Sequence, residues 1–143
     1  MMRWLLLDEI QEIKKGESAR SKSRIPSAAY STEVLLLEMM AQTGGVLLGA
    51  ENDYKDDVIF AKIESAQFPA VGFPDEPIEI IAVADGLRPE GSWVRGTVKN
   101  SRAVFATARV MLMNAGKLVP GKKVSTTFHP GFMDHFKIRE KIK

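Results

Sequence analysis

The chain has 143 residues, of which 45% are apolar and 27% charged, and its formal net charge is +2. That length suits one domain with a substantial core, and the composition is that of a globular chain, not a disordered one. The small net charge, without an aromatic–basic stripe or a helix-turn-helix pattern, argues against a nucleic-acid partner, and the absence of cysteine excludes disulfide and thiolate chemistry.

The opening residues, MMRWLLLDEI, hold a short apolar run broken by Asp8 and Glu9, so no secretory signal is expected. Trp4 to Ile13 reads equally as a short helix or a strand, and periodicity does not decide between them. Lys14-Lys15-Gly16 reads as a turn, followed by a polar stretch from Glu17 to Arg24. Ser31 or Thr32 can then cap a helix whose first turn carries Glu33, where the helix dipole favours an acid. From Val34 to Gly49 this helix is apolar around its whole circumference, as expected of a helix buried on most sides. No window reaches the ~18 apolar residues of a membrane span, so no membrane association and a cytoplasmic location are expected. The adjacent Gly44 and Gly45 predict close packing of a neighbouring element.

Beyond Asp57 the texture becomes that of strands: Val58–Phe68, Ile78–Ala84, Trp93–Val98 and Ala103–Met113. The last of these places Val104, Ala106, Ala108, Val110 and Leu112 on one face, and Lys99 to Arg102 is its hairpin connection to the strand before it. One buried helix followed by four antiparallel strands predicts an α+β fold with the sheet wrapped on the helix. The chain is expected to be a single domain over 1–143, with its core at about 4–113 and a C-terminal extension from 114 to 143.

Glu38 is the first candidate for chemistry. It stands mid-helix among apolar residues with Gln42 one turn on, on the same face. A desolvated carboxyl there would titrate high and could act as a general acid or base. A face open to solvent, or an arginine beside it, would leave Glu38 an ordinary structural residue, and the sequence leaves both open. His129 and His135, six apart with no matched acidic cluster, make a poor metal site and suggest a docked or frayed tail. No metal and no cofactor are expected.

The run Val34-Leu35-Leu36-Leu37-Glu38-Met39-Met40-Ala41-Gln42-Thr43-Gly44-Gly45-Val46-Leu47 resembles the central helix of the 3-hydroxyacyl-acyl-carrier-protein dehydratases. Trp4-Leu5-Leu6-Leu7-Asp8-Glu9-Ile10 and Ile59-Phe60-Ala61-Lys62-Ile63-Glu64-Ser65-Ala66-Gln67-Phe68 are similar to two further segments of that family, in the family's order. The resemblance implies a hotdog fold, a long central helix wrapped by a curved antiparallel sheet, in dimers whose sheets join edge to edge. It implies acyl thioesters of acyl-carrier protein or coenzyme A as ligands, in fatty-acid or polyketide-like metabolism. In that family a histidine of one subunit removes the C2 proton, the helix carboxyl of the other protonates the departing hydroxyl, and a backbone N–H at the helix start polarises the thioester carbonyl. By resemblance Glu38 is the acid, while Arg24, Tyr30, Glu33 and Gln42 stand where ligand contacts are expected.

The departures weigh as much as the match. Of the family's proline- and glycine-rich loop before the helix only Pro26 survives. Arg24 stands at the histidine position, Glu33 replaces the glycine, and no histidine precedes residue 129. An arginine stays protonated and cannot accept the C2 proton. Three functions remain open: a degenerate dehydratase that still binds acyl thioesters, a subunit that donates Glu38 to a histidine-bearing homologue, and an enzyme using Glu33, Tyr30 or His129 as base. A non-enzymatic acyl-binding or regulatory protein stands outside them.

Overall fold

The computed structural model describes residues 6–27, 31–118, 128 and 130–143. Strands β1 (Glu9–Lys14) and β2 (Ser18–Arg24) precede helix α1 (Thr32–Gly49). Strands β3 (Val58–Gln67), β4 (Pro77–Arg88), β5 (Gly91–Lys99) and β6 (Val104–Asn114) follow, then three short helices, α2 (Ala115–Leu118), α3 (Pro130–Phe136) and α4 (Ile138–Lys141). The six strands form one antiparallel sheet in the order β1-β2-β4-β5-β6-β3. Helix α1 packs against every strand of it.

The architecture is the expected α+β one, with two strands more than the four read after the helix. The ambiguous first segment resolves into β1, and the polar stretch read between the turn and the helix is β2. Its alternation is real but built from small residues: Ala19, Ser21 and Ser23 point inward and Lys22 and Arg24 outward, a strand pattern that hydrophobicity alone does not reveal. The inward hydroxyls are satisfied. Thr43 Oγ1 donates to the Met39 carbonyl at 2.9 Å, which makes Ser21 the donor in its 2.6 Å contact with Thr43, and Ser23 Oγ donates to the Leu6 carbonyl.

Ser31 is the N-cap of α1 but makes no side-chain capping bond, and Glu33 lies in the first turn as expected. Together with the 3-10 turn at Ala50–Asn52, the helix is long and apolar enough to cross a membrane by length and composition, which corrects the reading that no window reaches a membrane span. Here most of that length is buried in the domain. Gly44 explains how it comes so close: a methyl there would lie 2.7 Å from Leu112 Cδ1 and 3.3 Å from Val94 Cγ1. Gly45 is different, for the nearest atom to a methyl would be Val58 Cβ at 3.9 Å. Beneath the helix Met39, Met40, Val94, Phe105 and Leu112 are all but inaccessible, each contributing about 1.5–3 kcal/mol. On β6 the predicted inward face holds from Ala106 to Leu112, but Val104 is exposed and Phe105 buried, because the β5–β6 register shifts at Val98/Lys99.

The C-terminal segment docks. Tyr54, Phe128, Phe132 and Phe136 stack in sequence with ring centroids 5.0–5.6 Å apart, Ile138 is fully buried, and Arg139 pairs with Asp53 at 2.5 Å. The end of the chain lies on β1: Ile142 bridges Ile13 in parallel and the Lys143 N–H donates to the Ile13 carbonyl at 2.7 Å. At the opposite edge β3 carries the exposed Ile59 and Ile63.

Candidate functional site

Between Val34 and Ala50 every residue is buried except four: Val34, Leu37, Glu38 and Gln42. Val34, Glu38 and Gln42 are spaced by four and line up along the helix, while Leu37, seven residues before Gly44, lies round toward the sheet side and packs on the core. Gly44, Met40 and Thr43 face the sheet, so this stripe lies on the side of α1 turned away from it. An all-round apolar helix thus has one open seam, and the carboxylate sits in the middle of it.

Glu38 is half-buried, and burial raises its pKa above the ordinary carboxylate value, opposed in part by a hydrogen bond from Gln42. Gln42 Nε2 approaches Glu38 Oε1 at 3.5 Å, a long contact, while Gln42 Oε1 accepts the Leu6 backbone N–H at 2.9 Å. Among the described residues no arginine neutralises the carboxyl, and Gln42 is its one hydrogen-bond partner.

Among the described residues, the other expected site residues do not gather around it. Arg24 is exposed and its guanidinium donates to the Asp75 carbonyl at 3.1 Å, fastening β2 to the loop before β4. Glu33 is exposed in the first turn of α1, about 7.5 Å below Glu38 along the axis and well around the helix from the open seam. Tyr30 and His129 lie outside the described residues. His135 is exposed and packs edge-on against the Phe136 ring at 4.8 Å. Sequence reading missed the seam itself: Val34 looks like a core residue until exposure separates it.

A second cluster, absent from the sequence reading, holds the loop between β3 and β4. Arg102 makes a two-pronged pair with Glu76 at 2.8 Å for each bond, donates to the Val71 carbonyl at 3.1 Å, and lies over the Phe73 and Phe105 rings. Asn100 and the Phe73 N–H also donate to Glu76, whose carboxyl is pulled down to about 2. Val71 and Phe73 remain exposed on this loop.

No family model matches the chain. It is 29% identical over 123 residues to the bifunctional enzyme LpxC/FabZ of Chlorobaculum tepidum, an alignment covering 73% of this chain and 26% of that protein. The chain therefore spans about a quarter of the length of this curated relative. Among solved structures it is similar to the dehydratase heterocomplex ApeI:P from Xenorhabdus doucetiae, with TM-score 0.64 and 13% identity over 78% of this chain and 83% of that one. It is also similar to smu.793 from Streptococcus mutans UA159 bound to acetyl-CoA, with TM-score 0.60 and 12% identity over 74% and 86%. A hypothetical thioesterase protein with coenzyme A from Streptococcus pneumoniae TIGR4 matches with TM-score 0.61 and 11% identity over 74% and 86%. A helix touching all strands of one antiparallel sheet, with these likenesses, is the hotdog fold.

Proposed function

We propose that this chain is an acyl-thioester-binding hotdog subunit that supplies Glu38 as the acid of a dehydratase site completed by another subunit, and that it does not dehydrate alone. The observation that carries this reading is Glu38 itself: a half-buried carboxyl with a raised pKa on the open seam of α1, with no base among the described residues set against it. Arg24, at the family's histidine position, is turned to Asp75 and is no base in any case. A structural neighbour described as a dehydratase heterocomplex, and two others holding acetyl-CoA or coenzyme A, support a paired assembly and a thioester ligand.

In the reaction, a base of the partner removes the C2 proton of a (3R)-3-hydroxyacyl thioester and the C2–H electrons form the C2–C3 double bond. Glu38 protonates the hydroxyl as the C3–O bond breaks and water leaves. The carboxylate then recovers a proton while the base releases one. A carboxyl kept protonated by desolvation is suited to the donor's part. The free β3 edge, with Ile59 and Ile63 exposed, is the surface through which the subunits would pair.

The test is turnover of a 3-hydroxyacyl-CoA by the purified chain alone and after mixing with a histidine-bearing hotdog dehydratase subunit. Turnover only in the mixture, abolished by Glu38→Gln in this chain, is the expected result. Robust turnover by the chain alone would overturn the reading, and His129→Ala would then ask whether the tail supplies the base.

A further inference from the structure

Strand β3 is bonded to β6 along one edge, and its other edge has no neighbour among the described residues. Ile63 stands opposite Val110 and so points to the helix side of the sheet, yet it is 46% exposed while Val110 is inaccessible. Phe60 and Ala66, opposite the buried Leu112 and Ala108, share that inner side. Ile59, Lys62 and Gln67, opposite Met113, Met111 and Thr107, take the outer side. Glu64 joins them there, its carboxylate paired with the outward Arg109 at 2.7 Å. Bulges between Phe60 and Lys62 and between Ile63 and Ser65 break the simple alternation. Inner and outer positions therefore fall in a particular order along the strand, and its two charges, Lys62 and Glu64, flank the uncovered isoleucine.

We infer that β3 pairs antiparallel with β3 of a second copy of this chain, in the register that sets Ile63 against Ile63 of that copy on a two-fold axis. This rests on the reading of β3 as the pairing edge and fixes its partner and register. In this register the strand is complementary to itself. Lys62 of each copy meets Glu64 of the other on the outer face, so the charges make two opposite pairs. Phe60 meets Ala66 on the inner face, large against small, and Ile59 meets Gln67 on the outer one. Centring the pair on Lys62 or on Glu64 instead puts like charges together on the axis. Centring it between two residues sets inner positions against outer ones.

The chain has no cysteine of its own, so single introduced cysteines report the register. Residues paired across an antiparallel axis have Cα atoms about 4.5–5.5 Å apart, within disulfide reach. Ile63→Cys should link to itself under mild oxidation and Ile59→Cys should not. Sedimentation equilibrium reads the charges. Lys62→Glu and Glu64→Lys should each weaken self-association roughly tenfold, because each sets two like-charged pairs across the axis. An equimolar mixture of the two variants should regain association to within about threefold of wild type, since opposite charges meet again in the mixed pair. Thermal melts check that both variants fold; Arg109 keeps Asp85 at 3.2 Å when Glu64 is replaced. A wild-type chain that stays monomeric overturns the inference. So does linkage at Ile59→Cys without linkage at Ile63→Cys, or a mixture that associates no better than its components. Turnover with a histidine-bearing subunit, measured in parallel, separates failure of this register from failure of Glu38 as the donated acid.

Discussion

The side-chain oxygen of Gln42 accepts the backbone N–H of Leu6 at 2.9 Å, and this bond turns the amide nitrogen of Gln42 toward Glu38. The orientation is dictated by a donor that cannot rotate away, so Gln42 can only donate to the carboxyl. Replacing it with leucine removes the one influence among the described residues that lowers the Glu38 pKa. The carboxyl of Gln42→Leu should therefore titrate higher than in wild type, read by carboxyl-carbon NMR. The orphaned Leu6 amide should cost about 1–3 kcal/mol in denaturant unfolding.

Glu38 also sets a pH dependence. Its folded pKa lies above the ordinary 4.5 because of burial, so the folded chain holds the proton more tightly than the unfolded chain. Ionising Glu38 thus weakens the fold as pH rises from about that value through the folded titration. Glu38→Gln should be more stable than wild type at neutral pH, with the gap closing below the ordinary carboxylate pKa. Melting curves from pH 4 to pH 8 measure it, and a gap that widens on acidification would contradict the assignment.

The loop latch behaves in the opposite sense. Arg102, the Phe73 N–H and Asn100 hold the Glu76 carboxyl down to about 2 against an ordinary 4.5. Its contribution is complete above the ordinary value and is lost as pH falls toward 2. Hydrogen exchange at the Phe73 amide should accelerate over that interval, beyond the intrinsic change, and Glu76→Gln should show faster exchange already at pH 6. Arg102→Lys keeps the charge but loses the paired bonds and the stacking, so it should raise the Glu76 pKa.

Neighbouring glycines of α1 should respond oppositely to the same substitution. Gly44→Ala forces a methyl onto Leu112 and Val94 and should cost about 1–3 kcal/mol, less what helix propensity returns. Gly45→Ala meets only ordinary contact with Val58 and should gain up to ~1 kcal/mol. Paired urea melts decide the matter.

If β3 is the pairing edge, Ile63→Lys should weaken self-association or mixed pairing by roughly tenfold or more while leaving the monomer folded, since a lysine on a free edge strand opposes strand addition. Sedimentation equilibrium across concentrations is the measurement.

Much of this molecule was legible in the order of its residues. The helix around Glu38 and the alternation of β5 and β6 are patterns that burial writes directly into sequence. Strand β2 was not legible, because its inward face is alanine and serine held by hydrogen bonds instead of apolar bulk. The seam of α1 escaped for a different reason: a valine reads as core whether or not anything covers it. Arg24 illustrates the limit of alignment by position, since the guanidinium at the histidine place is occupied by a loop carbonyl formed far along the chain. The latch of Arg102 and Glu76 depends on residues 26 apart meeting across a loop, and no local pattern announces it.

The pairing of Ile142 and Lys143 with Ile13 has a bearing on assembly. A sheet grows by adding neighbours at its edges, and an unblocked molecule with two sticky edges is a monomer for a fibre. Here the last residues of the chain take up bonding capacity on one side, at a short and bulged strand, and leave the other side open. If subunits join through β3 as proposed, each β1 edge of the pair would face outward with Ile13 already engaged, which would oppose further growth by strand addition.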